Sequence, residues 1–169
     1  MYKWFVRSTT AALAMSLVAV AAFLAPSAVA GDQIPFRASD LGGFAIVDAC
    51  PGTDIVRTSD WGSGTGTHLG RYTFVATECV NLGSLAVTDG SWTITAASGD
   101  TLSGRYSGQA AGVPGSLCDI TYDVEGPVTG GTGRFEGASG RLRWLGFANL
   151  CTGELGDEIS GTISSVGSN

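Results

Sequence analysis

The chain is predicted to be a single all-β domain, a roughly eight-stranded antiparallel barrel with a two-sheet sandwich as second choice. Three observations lead there. Between Gly66 and Ile163 the hydropathy alternates with a period of two, which sets one side of a strand on a core and the other in water. Gly-rich stretches punctuate the alternating runs at short intervals, as they do in sandwiches and barrels. After residue 30 no useful length of chain repeats apolar residues at the i, i+3, i+4, i+7 spacing of an amphipathic helix.

The first thirty residues stand apart. MYKWFVRSTT carries Lys3 and Arg7, AALAMSLVAVAAFLA is apolar, and Ser27-Ala28-Val29-Ala30 closes the segment with small residues. That order is a secretory signal peptide with cleavage after Ala30. The apolar run is short for a membrane span, so Gly31 to Asn169 is expected to be one exported domain with no span of its own. The domain keeps all fifteen acidic residues against seven arginines and no lysine. It therefore lacks the basic patch that nucleic acid or an anionic lipid surface requires.

The strands follow in order. Weaker candidates lie around Phe44–Val47, Asp54–Arg57 and Leu85–Thr88. In THLGRYTFVAT the even positions are His68, Gly70, Tyr72, Phe74 and Ala76, against Thr67, Arg71, Thr73 and Thr77. The same parity recurs at Trp92, Ile94 and Ala96, at Leu102, Gly104, Tyr106 and Gly108, and at Ile120, Tyr122 and Val124. ASGDT turns one run into the next through Gly99 and brings Trp92 roughly opposite Tyr106. AGVPGS and LCTGELGDE break the chain again near Cys118 and Cys151.

TGGTGRFEGASGR, from Thr129 to Arg141, raises the alternative of a phosphate loop. Gly131, Gly133 and Gly137 give GxGxxxG instead of GxGxxG, and no helical pattern follows. A hairpin connection fits better, with Phe135 folding back as an apolar plug. Pairing the flanking strands about its centre sets Glu125 near Arg143 and brings Cys118 to Cys151, which leaves Cys50 for Cys79. Four cysteines 29, 39 and 33 positions apart suit two disulfides of an exported chain better than a zinc site, whose ligands come in close pairs.

GGTGRFEGASG resembles the GGTGxFxxAxG segment of plant dirigent proteins, which share an eight-stranded barrel with allene oxide cyclases. Together with GTHLGRYT and SGDTLSGRYSG it also resembles a group of small secreted bacterial proteins. The resemblance spans Gly66 to Ile163 and implies a barrel with a central cavity. It transfers no catalytic residue.

With even positions inward, the interior would hold His68, Tyr72, Phe74, Trp92, Tyr106, Tyr122, Leu142 and Trp144. His68, Tyr72, Trp92, Tyr106, Tyr122 and Trp144 are the candidate ligand-binding residues, for apolar bodies with polar tips are the usual lining of a small-molecule pocket. The same set would also serve as a filled core. The lone histidine is a structural residue, a proton-transfer group or, least favoured for want of a second histidine and free thiols, a metal ligand, and no metal or cofactor is expected. A serine nucleophile lacks its GxSxG elbow. Asp119, Asp123 and Glu125 fall on the polar parity, where solvation or pairing with Arg141 and Arg143 is expected. The expected role is binding of a small apolar or aromatic molecule. The alternatives are a cell-envelope interaction protein with a filled core and a dirigent- or cyclase-like enzyme. No sequence feature sets an oligomeric state.

Overall fold

A computed structural model describes residues 32–164; the leader and its cleavage point lie outside them. Eight antiparallel strands close into a barrel in which each strand pairs with its neighbours in sequence and β8 returns to β1. The strands are β1 (Gln33–Ala49), β2 (Ile55–Gly66), β3 (Gly70–Asn81), β4 (Ala86–Ala96), β5 (Thr101–Gly112), β6 (Asp119–Gly131), β7 (Gly140–Asn149) and β8 (Glu154–Ser164). Closure excludes the sandwich and leaves no unpaired sheet edge. Among the described residues no helix is long and apolar enough to cross a membrane.

The alternation sets which side chains enter the barrel, and even parity runs inward from Phe36 on β1 to Ala148 on β7 with one interruption. A bulge in β4 between Val87 and Gly90, where Asp89 adopts a φ of 53°, swaps the faces and turns Val87 inward. On β8 the inward set is odd: Leu155, Asp157, Ile159 and Ile163.

The two ends of the barrel differ. At the closed end, Phe36, Leu102, Leu142 and Ile163 are wholly buried, and Leu69 and Phe135 descend on them from the β2–β3 and β6–β7 turns. Each such side chain contributes about 1.5–3 kcal/mol through burial. The glycines of the long β6–β7 connection do the work expected of a turn. Gly133 and Gly137 take φ values of 59° and 70°, a short 3-10 turn spans Gly133–Phe135, and Phe135 is 1% exposed. The opposite end is held by the two disulfides, Cys50–Cys79 and Cys118–Cys151.

Register confirms Glu125 opposite Arg143 and corrects one pairing. Trp92 faces Gly104, while Tyr106 faces Gly90. A Cβ at position 104 would lie 2.5 Å from the Trp92 ring, so each large ring stands opposite a glycine. His68 is a second correction. It is not inward but exposed, in the Thr67–Leu69 turn with a φ of 63°, its Nε2 3.1 Å from the Pro35 carbonyl. The alternation stops at Gly66, which pairs with Gly70, and Leu69 takes the apolar place.

Candidate functional site

Above the closed end the barrel contains a cavity of about 150 Å³. Of the six residues expected to line it, Trp92, Tyr106, Tyr122 and Trp144 do so. Tyr72 is 3% exposed and joins the site through a hydrogen bond to Asp40; His68 lies outside. The two tryptophans meet edge to face at 5.2 Å between centroids, and Tyr106 packs on Trp144 at 5.7 Å. On β4 and β7 this cluster separates the close-packed core from the open half. Toward the mouth the lining is aliphatic, with Ile46, Val56, Val80, Leu82 and Leu150 among the residues.

The alternation applied to aromatic runs alone missed the principal polar feature, four carboxyl groups in the same cavity: Asp40, Asp60, Glu78 and Asp157. Three sit on even positions of β1, β2 and β3, so the parity signal was available. Asp157 was hidden by the odd parity of β8. The carboxyl groups predicted to lie outside do so: Arg141 donates to Glu125 at 2.6 Å, and Arg143 pairs with Asp123.

One device builds the belt three times. A tyrosine lies across a glycine on the next strand and points to an acid on the strand beyond. Tyr72 crosses Gly64 and donates to Asp40 Oδ2 at 2.7 Å. A Cβ on Gly64 would lie 2.6 Å from the Asp40 Cβ and 2.8 Å from the Tyr72 ring, so only glycine fits. Tyr106 crosses Gly90 and donates to Glu78 Oε2 at 2.6 Å; Thr58 Oγ1 donates to the other Glu78 oxygen. Tyr122 crosses Gly146 and stands beside Asp157. Asp157 and Asp40 are direct partners across the β8–β1 seam. Tyr122, Gly146, Asp157, Asp40, Gly64 and Tyr72 thus form an unbroken row over six strands.

No basic side chain lines this cavity, and the electrostatics follow from that. Burial, then the Glu78 charge, pushes the Asp60 carboxyl up to about 9. Burial, then the Asp40 charge, pushes Asp157 up to about 8. Burial also raises Asp40, against the hydrogen bond from Tyr72. All three tyrosines are raised, chiefly by burial and then by the adjacent acids, so they act as neutral donors. At pH 7 Asp60 and Asp157 are protonated acids inside an apolar chamber.

Several polar atoms in the chamber are unpartnered: Asp40 Oδ1, Asp60 Oδ1, Asp157 Oδ1 and Trp92 Nε1. Leaving such groups unsatisfied costs about 1–3 kcal/mol each. Among the described residues no three side chains are arranged to hold a metal ion. Neither a family model, nor a curated protein, nor a solved structure matches the chain.

Proposed function

We propose that this is an exported binding protein that takes a small apolar or aromatic molecule into the open half of its barrel. The observation that carries this reading is the cavity, apolar at its entrance and bearing unpartnered polar atoms at depth. An apolar cavity of about 150 Å³ admits a molecule the size of benzene, and drug-sized pockets begin at about 300 Å³. The ligand is therefore one ring with short substituents. The resemblance to dirigent and allene oxide cyclase barrels supports the same use of the interior.

Native mass spectrometry of the protein from its own culture medium tests this. Additional mass of about 100–200 Da, the range of a single substituted ring, that leaves on denaturation is the expected result. A bare chain whose tryptophan emission responds to no one-ring compound overturns the reading.

A cyclase-like enzyme is the second reading, favoured by the protonated Asp60 within an apolar cavity. A neutral carboxylic acid there can donate a proton to a reacting group. This reading moves proton transfer from His68 to the carboxyl belt. If turnover is found, Asp60→Asn should lower it by about 10²-fold or more, with His68→Ala close to wild type.

A further inference from the structure

The belt holds more carboxyl oxygens than its own donors satisfy, even with the Tyr122 hydroxyl beside Asp157 and the acid protons of Asp60 and Asp157 counted among them. The Tyr72 hydroxyl serves one oxygen of Asp40, while Tyr106 and Thr58 serve Glu78. One oxygen on each of Asp40, Asp60 and Asp157 has no partner. Those free oxygens come from β1, β2 and β8, around one chamber. A primary ammonium group presents three N–H donors and no acceptor.

Trp92 supplies an independent observation. It is 95% buried, being 5% exposed, it lines the same chamber, and its Nε1–H donor has no partner. Its N–H requires an oxygen acceptor, for an indole nitrogen can only donate.

We infer that the chamber is a receptor for a one-ring primary amine bearing an oxygen substituent, its ammonium among Asp40, Asp60 and Asp157 and its oxygen toward Trp92. This rests on the binding reading above and names the ligand class for that site. The ring faces the aliphatic mouth. The acidic balance of the chain, fifteen acids against nine bases, favours the approach of a cation.

The groups facing the ammonium are Asp40 from β1, Asp60 from β2, Tyr72 and Glu78 from β3, Tyr106 from β5, Tyr122 from β6 and Asp157 from β8. β4 and β7 contribute Trp92 and Trp144, which do not titrate. None of them is basic, so the incoming cation meets no like charge. Because Asp60 and Asp157 hold protons in the free protein at neutral pH, binding the ammonium should release a proton.

The test is calorimetry and tryptophan emission at pH 7.5 with four probes: 2-amino-1-phenylethanol, 2-phenylethylamine, 1-phenylethanol and ethylbenzene. Removing the amine should weaken binding at least 10-fold, and removing the hydroxyl a few-fold. Titrations in phosphate and in Tris should differ in heat by the ionisation of about one proton per amine bound. Asp60→Asn, nearly isosteric, should weaken the two amines about 10-fold, lower proton release to what Asp157 alone supplies and leave 1-phenylethanol unchanged. If 1-phenylethanol or ethylbenzene binds as tightly as the amines, the inference falls and the binding reading stands. Equal heats in the two buffers also overturn it. Silence from all four probes overturns the inference, and the binding reading falls with it only where native mass spectrometry also finds a bare chain.

Discussion

At the floor of the barrel Phe36, Leu102, Leu142 and Ile163 are sealed from water, whereas at the mouth Ile46 is 61% exposed and Leu82 and Leu150 each 53%. The same eight strands make both regions, and the difference lies in what the connections contribute. The floor turns send in Leu69 and Phe135 as plugs. At the mouth Cys50, Cys118 and Cys151 lie in the connections, and two disulfides, Cys50 to Cys79 near the end of β3 and Cys118 to Cys151, tie the strand ends together. The floor is stabilised by packing, and the mouth by crosslinks that occupy no interior volume. A hydrophobic core over half the barrel leaves the other half free for acids that packing alone would not tolerate.

The largest effect should come at the floor. Phe135→Ala removes a ring from a closed site and should cost about 3–5 kcal/mol in urea denaturation. A loss below about 1 kcal/mol would mean that the floor is not a packed core. Replacing both Cys118 and Cys151 by alanine opens a loop with a sequence separation of 33 and should cost about 3–4 kcal/mol. That cost should appear with little change in floor packing, as read by near-UV circular dichroism.

The belt should reveal itself through pH. A carboxyl raised in the folded state binds more protons there than in the unfolded chain, so stability must fall as pH rises between the two values. Asp60 at about 9 and Asp157 at about 8, against an ordinary 3.8, place that loss between about pH 4 and 9. Tm should drop by at least about 5 °C from pH 5 to pH 9, and Asp60→Asn should flatten the drop. A flat Tm in the wild type would show the belt to be solvated. The smallest effect belongs to the rim, where Ile46→Ala should change stability by less than about 0.5 kcal/mol yet weaken binding of a one-ring ligand.

Where strands alternate cleanly, as on β5, β6 and β7, the sequence disclosed inward faces, the Glu125–Arg143 pairing and both disulfides. It understated β1 and β2, because DLGGFAIVDA and TSDWGSGTG are diluted by glycine and serine. Those small residues are needed there: Gly64 makes room for the Tyr72 ring. The acids escaped notice for a related reason. A hydropathy pattern counts Asp or Glu as outward, yet Asp40, Asp60 and Glu78 share the parity of the buried side chains. His68 was the converse error, the parity of β3 carried back past Gly70 into a turn that the pattern alone does not mark.

The seam between β1 and β8 has a kinetic consequence. Every other strand pair joins consecutive segments and can form as a local hairpin, but this one brings together the two ends of the described chain. Its closure entropy is the largest in the fold, so it should form late and open early. Asp40 and Asp157 face one another across that junction. A molecule bound to both would therefore act as a latch, slowing unfolding by holding shut the one joint that chain connectivity does not help to close.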